Sequence, residues 1–234
     1  MILQDTINEV EQIGNITEQS EFSIKASKKA FAILSGLYSD IHLGIIREIG
    51  ANAMDAHVAA GKKDVPIEIH LPNALEPWLI IEDQGTGISH KDIYSIYTTY
   101  FESTKTNTNE QTGCFGLGSK IFMAYTDNST IYSIVDGVKR TYNAFINAGG
   151  LPSISLVSQE ETKEPNGFAV QIPIKSNDFE KFKDATYRAC RYYEVKPNIT
   201  GGKIDWNIDK PNFVGSFWRS FPVTILREIG FVRE

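Results

Sequence analysis

The chain has 234 residues, 41% apolar and 11% aromatic, with a net charge of -6 and a sequence pI near 5.3. That is enough to build a core, and it excludes wholesale disorder and a broad basic face for nucleic acid. The two cysteines, Cys114 and Cys190, form no CxxC pair, so neither a zinc site nor a disulfide framework is expected. The first residues, MILQDTINEVEQIGN, lack the basic and apolar blocks of a signal peptide. No run approaches the roughly 20 apolar residues of a membrane span, and the expected location is the cytoplasm.

In chain order, residues 1–20 read as a polar arm, Phe22–Ala26 as a strand and 28–38 as a helix. Asp40 stands as the N-cap of a long helix from Ile41 to about Ala60, closed by Gly61. Ile45, Ile49, Ala53 and Ala56 recur at helical spacing and should face the core. Ile67–Leu71 and Trp78–Ile81 read as paired strands, and 90–100 as a helix. The polar stretch 102–112 reads as a flexible loop, and a Gly-rich segment then opens a short helix over 119–125. Thr130–Val135 and Lys139–Ile146 flank an Asp136-Gly137 turn, the signature of a hairpin. Strands at Ile154–Val157 and Phe168–Ile174, a helix over 178–193 and a tail complete the chain. Helices first and strands later suggest an α+β sandwich, with helices layered on one sheet face.

Three segments carry chemistry. In Glu48-Ile-Gly-Ala-Asn52-Ala-Met-Asp55-Ala56, steps of four and three place Glu48, Asn52 and Asp55 on one helical stripe, apart from the Ile45/Ile49/Ala53 stripe. Oxygen donors in line suit hydrated magnesium with a base beside it, although a solvated helix face would look the same. In Ile80-Ile-Glu-Asp83-Gln-Gly85-Thr-Gly87-Ile88, a carboxylate ends an apolar strand and could accept from an adenine amino group. The glycines there let the backbone pass close or take a turn. Gly113-Cys-Phe-Gly116-Leu-Gly118-Ser119-Lys120 offers side-chain-free amides at a helix start, a phosphate cradle. It is not a P-loop: Ser119-Lys120 stands where that motif needs Lys followed by Ser or Thr, and no strand runs into it.

In order and spacing the three segments resemble the N, G1 and G2 boxes of the GHKL (gyrase, chaperone, histidine kinase and MutL) ATPase superfamily. The resemblance implies a Bergerat-type ATP-binding sandwich, its helices on one face of a mixed, mostly antiparallel sheet. It implies Glu48 as the residue that activates water and Asn52 as the magnesium ligand. The ATP-binding set becomes Asn52, Asp55, Asp83, Gly85, Gly87, Ile88, Lys105, Gly113, Gly116, Leu117, Gly118, Ser119 and Lys120, with Asp83 reading adenine. Residues 90–112 would form an ATP lid, in which Lys105 is a candidate phosphate contact. The organisation expected is an arm over 1–20, the ATP-binding domain over 21–175, and a helix and tail over 176–234 that could start a further domain.

The stretches FSIKASKKAFAILSGLYSD, IIREIGANAMDAH, FESTK, GCFGLGSK with the later AYTD, and NGFAVQIPI followed by DFEKF resemble the N-terminal part of the phage rIIA proteins. That implies a role in lysis control or phage exclusion inside a bacterial host. Two departures stand out. Phe168 occupies the position where many superfamily members carry an adenine-contacting threonine; it reads as core packing. Only about 60 residues follow Ile174, too few for the usual following domain with its phosphate-sensing lysine, so a longer protein or a partner would complete the site. ATP or ADP, magnesium, and a protein partner or an ATP-dependent homodimer are the expected associates.

His42, His57, His70 and His90 show no metal spacing, and His57 reads as a half-exposed helix histidine. A sensor kinase is disfavoured, since no dimerising helix pair fits before the N box. No Ser-His-Asp or Cys-His pairing suggests covalent catalysis. Two functions remain: a slow, magnesium-dependent ATPase acting as a conformational switch, and an interaction module that holds nucleotide without hydrolysing it.

Overall fold

A computed structural model describes residue 36 and residues 38–97, 118–206, 213–214 and 219–220. The expected strand Phe22–Ala26, most of the 28–38 helix and the 102–112 loop lie outside the described residues. The chain divides into two units, at Lys203 and Ile204.

The first unit is built on helix α1, Ile41–Ala59, which begins where Asp40 accepts a hydrogen bond from the Leu43 N–H. Satisfying one of the free N–H groups of the first turn is what an N-cap aspartate does. Ile45, Ile49 and Ala53 are buried as their spacing demands. Ala56 is only half-buried, because it faces a turn rather than the core.

Among the described residues seven strands form one sheet: β1 (Glu68–His70), β2 (Trp78–Asp83), β3 (Asn128–Val135), β4 (Val138–Ile146), β5 (Pro152–Glu161), β6 (Gly167–Pro173) and β7 (Asn198–Thr200). Their order is β5-β4-β3-β6-β2-β1-β7, antiparallel throughout except for the parallel pair β1–β7. The sheet is therefore mixed and mostly antiparallel, as expected. Asp136 at φ 51° and Gly137 at φ 75° make the tight turn between β3 and β4, both in the left-handed region that a two-residue hairpin turn requires.

One row of side chains crosses the whole sheet: Ile199, Ile69, Ile81, Val170, Ile131, Tyr142 and Leu156. The inner five are 1% exposed or less, whereas Leu156 on the edge strand is 40% exposed, so the core lies over the central strands. Full burial stabilises each of these side chains by about 2 kcal/mol. Helix α1 packs against β2, and a second helix, α2 (Phe179–Cys190), packs against α1. This is an α+β fold with helices layered on the sheet.

Three elements differ from the sequence reading. The 90–100 segment is a single α turn, His90–Asp92, continued by a wider π turn over Ile93–Tyr97 as far as it is described. Ser89 caps it by accepting from Asp92 N–H, and His90 is pinned to the Tyr142 hydroxyl at 3.0 Å. The short helix after the Gly-rich segment is a 3-10 helix, Gly118–Ala124, also packed on α1. β5 runs to Glu161, well beyond the apolar Ile154–Val157, because backbone pairing with β4 carries it onward through polar residues. In the second unit, Phe213–Val214 and Arg219–Ser220 form a two-stranded antiparallel ribbon, β8 and β9.

Candidate functional site

The turn after β2 is fixed from three sides. Asp83 ends the strand and is only 5% exposed. Its carboxylate accepts from Gly85 N–H, 2.8 Å from Oδ1, and from the backbone N–H of Phe168 on the neighbouring strand. Burial is the largest influence on it and pushes its pKa up to about 7, against those two N–H donors and Lys62, with Glu82 adding to the rise. Burial thus favours the protonated form of Asp83 more than in an exposed carboxyl.

Gly85 lies where a Cβ would stand 2.6 Å from the Ala56 Cβ, so the turn can touch α1 only because this residue has no side chain. Gly87 has φ +70°, and a Cβ there would collide with the Ile134 carbonyl. The Ile88 backbone is held at both ends by one hydroxyl: its N–H donates to Ser133 Oγ at 2.9 Å, and Ser133 donates to its carbonyl at 2.8 Å.

Residues to which the sequence assigned no role in the site complete the clamp. His57 is buried, not half-exposed. Its Nε2 accepts from Gln84 N–H at 2.8 Å, and its Nδ1 lies 2.9 Å from the Val65 carbonyl. That pattern assigns the proton to Nδ1 and makes the ring neutral. Lys62 donates to the Gln84 carbonyl at 2.7 Å, so both backbone groups of Gln84 are tied to the end of α1 and the loop that follows it. His57 directly follows the N box and could have been flagged by position; Lys62 and Ser133 carry no local signal.

On α1, Glu48 and Asn52 are half-buried, and Asp55 is 4% exposed. Asp55 rules out a wholly solvated face for the stripe. Contact between Gly85 and Ala56, the residue after Asp55, joins the stripe to the Asp83 turn. The structure thus brings Asp83, Gly85, Gly87 and Ile88 together, with Asp55 and Asn52 on the adjoining helix. Lys120 is buried, with Nζ 5.7 Å from the centroid of the Tyr97 ring. Gly118 and Ser119 open the 3-10 helix, whereas Lys105, Gly113, Gly116 and Leu117 lie outside the described residues. Phe168 is half-buried, its ring centroid 5.5 Å from that of Tyr97.

The donor set fits the groups that the boxes imply. Oxygen donors one helical turn apart suit magnesium, which takes few protein ligands. A buried carboxylate at the end of an apolar strand suits the amino group of a base. Among the described residues no three His, Cys, Asp or Glu side chains cluster as a metal cage, and no helix is long and apolar enough to cross a membrane.

Over 88 residues the chain is 28% identical to the B-type subunit of type 2 DNA topoisomerase 6 from Pyrobaculum aerophilum, a match covering 36% of this chain and 17% of that protein. Residues 41–166, more than half of the chain, match the family described as histidine kinase-, DNA gyrase B- and HSP90-like ATPase. The chain carries an ATPase domain of the GHKL type and belongs to the histidine kinase-, DNA gyrase B- and HSP90-like ATPase family.

Proposed function

We propose that this domain binds ATP with magnesium, hydrolyses it slowly, and uses the cycle as a conformational switch. The observation that carries the reading is the Ala56–Gly85 contact, which sets the buried Asp83 and the Glu48/Asn52/Asp55 stripe side by side. Asp83 accepts the adenine amino group, and the glycines at 85 and 87 let the turn that carries it close on α1 and β3. Asn52 holds magnesium by its side-chain oxygen, and Glu48 orients and deprotonates the attacking water. Bound magnesium supplies charge neutralisation on the phosphate oxygens. Gly113, Gly116, Leu117, Gly118, Ser119, Lys120 and Lys105 contribute phosphate contacts, and the 90–112 segment acts as the lid.

Calorimetric titration of magnesium ATP into the wild type and Asp83→Asn tests the site; equal affinity in the two would sink the adenine role. The Phe168–Tyr97 ring contact favours a second reading, binding without hydrolysis, because it puts an apolar ring where a polar adenine contact is expected. Turnover that survives in wild type and vanishes in Glu48→Ala decides between them.

The relative is one subunit of a larger enzyme, which supports an assembly partner or an ATP-dependent homodimer here as well. The rIIA-like stretches support a setting in lysis control or phage exclusion within the bacterial cytoplasm. Deleting the gene and timing host lysis tests that setting; unchanged timing and unchanged exclusion argue against it. By the resemblance of the three boxes to the GHKL superfamily, 21–175 is the nucleotide-binding region.

A further inference from the structure

Position 44 lies one helical turn before Glu48 on α1, so a side chain there would stand beside the glutamate. It is glycine, and its space is taken by two neighbours. A Cβ at Gly44 would stand 2.9 Å from Tyr38 Cδ1 and 2.8 Å from Ile121 Cδ1. The Tyr38 ring therefore rests on bare helix backbone, with Ile121 of the 3-10 helix against the same seat. From there the Tyr38 hydroxyl hydrogen-bonds the Glu48 side chain. Burial first, then the Glu48 charge and that hydrogen bond, raise the phenol above its ordinary value. At neutral pH the phenol is protonated and donates, and the carboxylate accepts.

A base must be held within hydrogen-bond reach of its water, and a half-buried glutamate on a helix has several rotamers to choose from. A donor fixed by its ring contact selects one of them. We infer that Tyr38 is the positioning residue for Glu48, seated on Gly44. The inference rests on the reading of Glu48 as the base in ATP hydrolysis. It also ties that base to the 3-10 helix leaving the Gly-rich segment, since Ile121 shares the seat.

The test uses Tyr38→Phe in the full chain, which keeps the ring on Gly44 and removes only the donor. Three quantities are compared with wild type: ATP affinity by calorimetry, kcat against pH, and the Glu48 carboxyl titration by carbon-13 NMR without nucleotide. The expected result is affinity within about twofold, kcat lower by about tenfold, and the acid limb of the kcat profile moved to higher pH. Loss of a donor to the charged form raises a carboxyl pKa, so the NMR titration moves the same way. If Glu48 titrates identically in both proteins, or kcat and its acid limb are unchanged while Glu48→Ala is inactive, the positioning role is overturned and the base reading stands. If wild type shows no turnover, or Glu48→Ala equals it, the base reading fails and takes the positioning role with it.

Discussion

The turn after β2 and the polar stripe on α1 lie side by side but are built differently. The turn is made of backbone: His57, Lys62 and Ser133 hold its N–H and carbonyl groups, and its glycines touch α1 and β3 where no side chain fits. The stripe is made of side chains on a helix whose backbone satisfies itself. Substitution in the turn should therefore register first as lost stability, and substitution in the stripe first as lost chemistry.

Gly87→Ala should show the largest effect on folding. It forces a side chain into a left-handed conformation and into the Ile134 carbonyl, costing about 3 kcal/mol, to be read from denaturant midpoints. An unchanged midpoint would break the comparison. His57→Ala comes next: it strips partners from the Gln84 N–H and the Val65 carbonyl, for a loss of about 2 kcal/mol. Full stability in that variant would mean that solvent replaces the ring at both groups.

The Asp83 carboxyl gives a third, pH-dependent effect. Its folded pKa of about 7 lies above its ordinary value, so the native state binds the proton more tightly than the unfolded chain. That contribution to stability is complete at acid pH and is lost as pH rises through about 7. Between pH 5 and pH 8 the loss should reach about 2 kcal/mol in the nucleotide-free protein. Asp83→Asn should flatten the Tm profile over that range; equal slopes would place the titrating group elsewhere. Glu48→Ala should show the smallest effect on folding, about 0.5 kcal/mol, while abolishing turnover. A large drop in its Tm would show that the stripe, too, is structural.

Much of this was legible in order along the chain. Asp40 followed by an apolar period of 3.6 announced α1, and Asp136-Gly137 announced the β3–β4 hairpin, because capping and turn chemistry act over three or four residues. The Asp83 turn was recognisable by its glycines, whose purpose is now visible as contact with Ala56 and close approach to β3. β7 escaped notice because three residues of a polar tail become a strand only through pairing with β1, some 130 positions earlier. The π turn over Ile93–Tyr97 escaped because helix type there is not encoded by apolar spacing.

The sequence by itself determined the boxes, the capped helix and the hairpin. These follow from local sterics and from where apolar side chains recur. Only the tertiary structure decided that His57 is a buried latch, that Ser133 serves Ile88, and that Tyr38 lies on Gly44 against Glu48. Each of those depends on a hydrogen bond or a close contact between segments distant in sequence or set by packing across elements. Such contacts exist only once the sheet and α1 have come together.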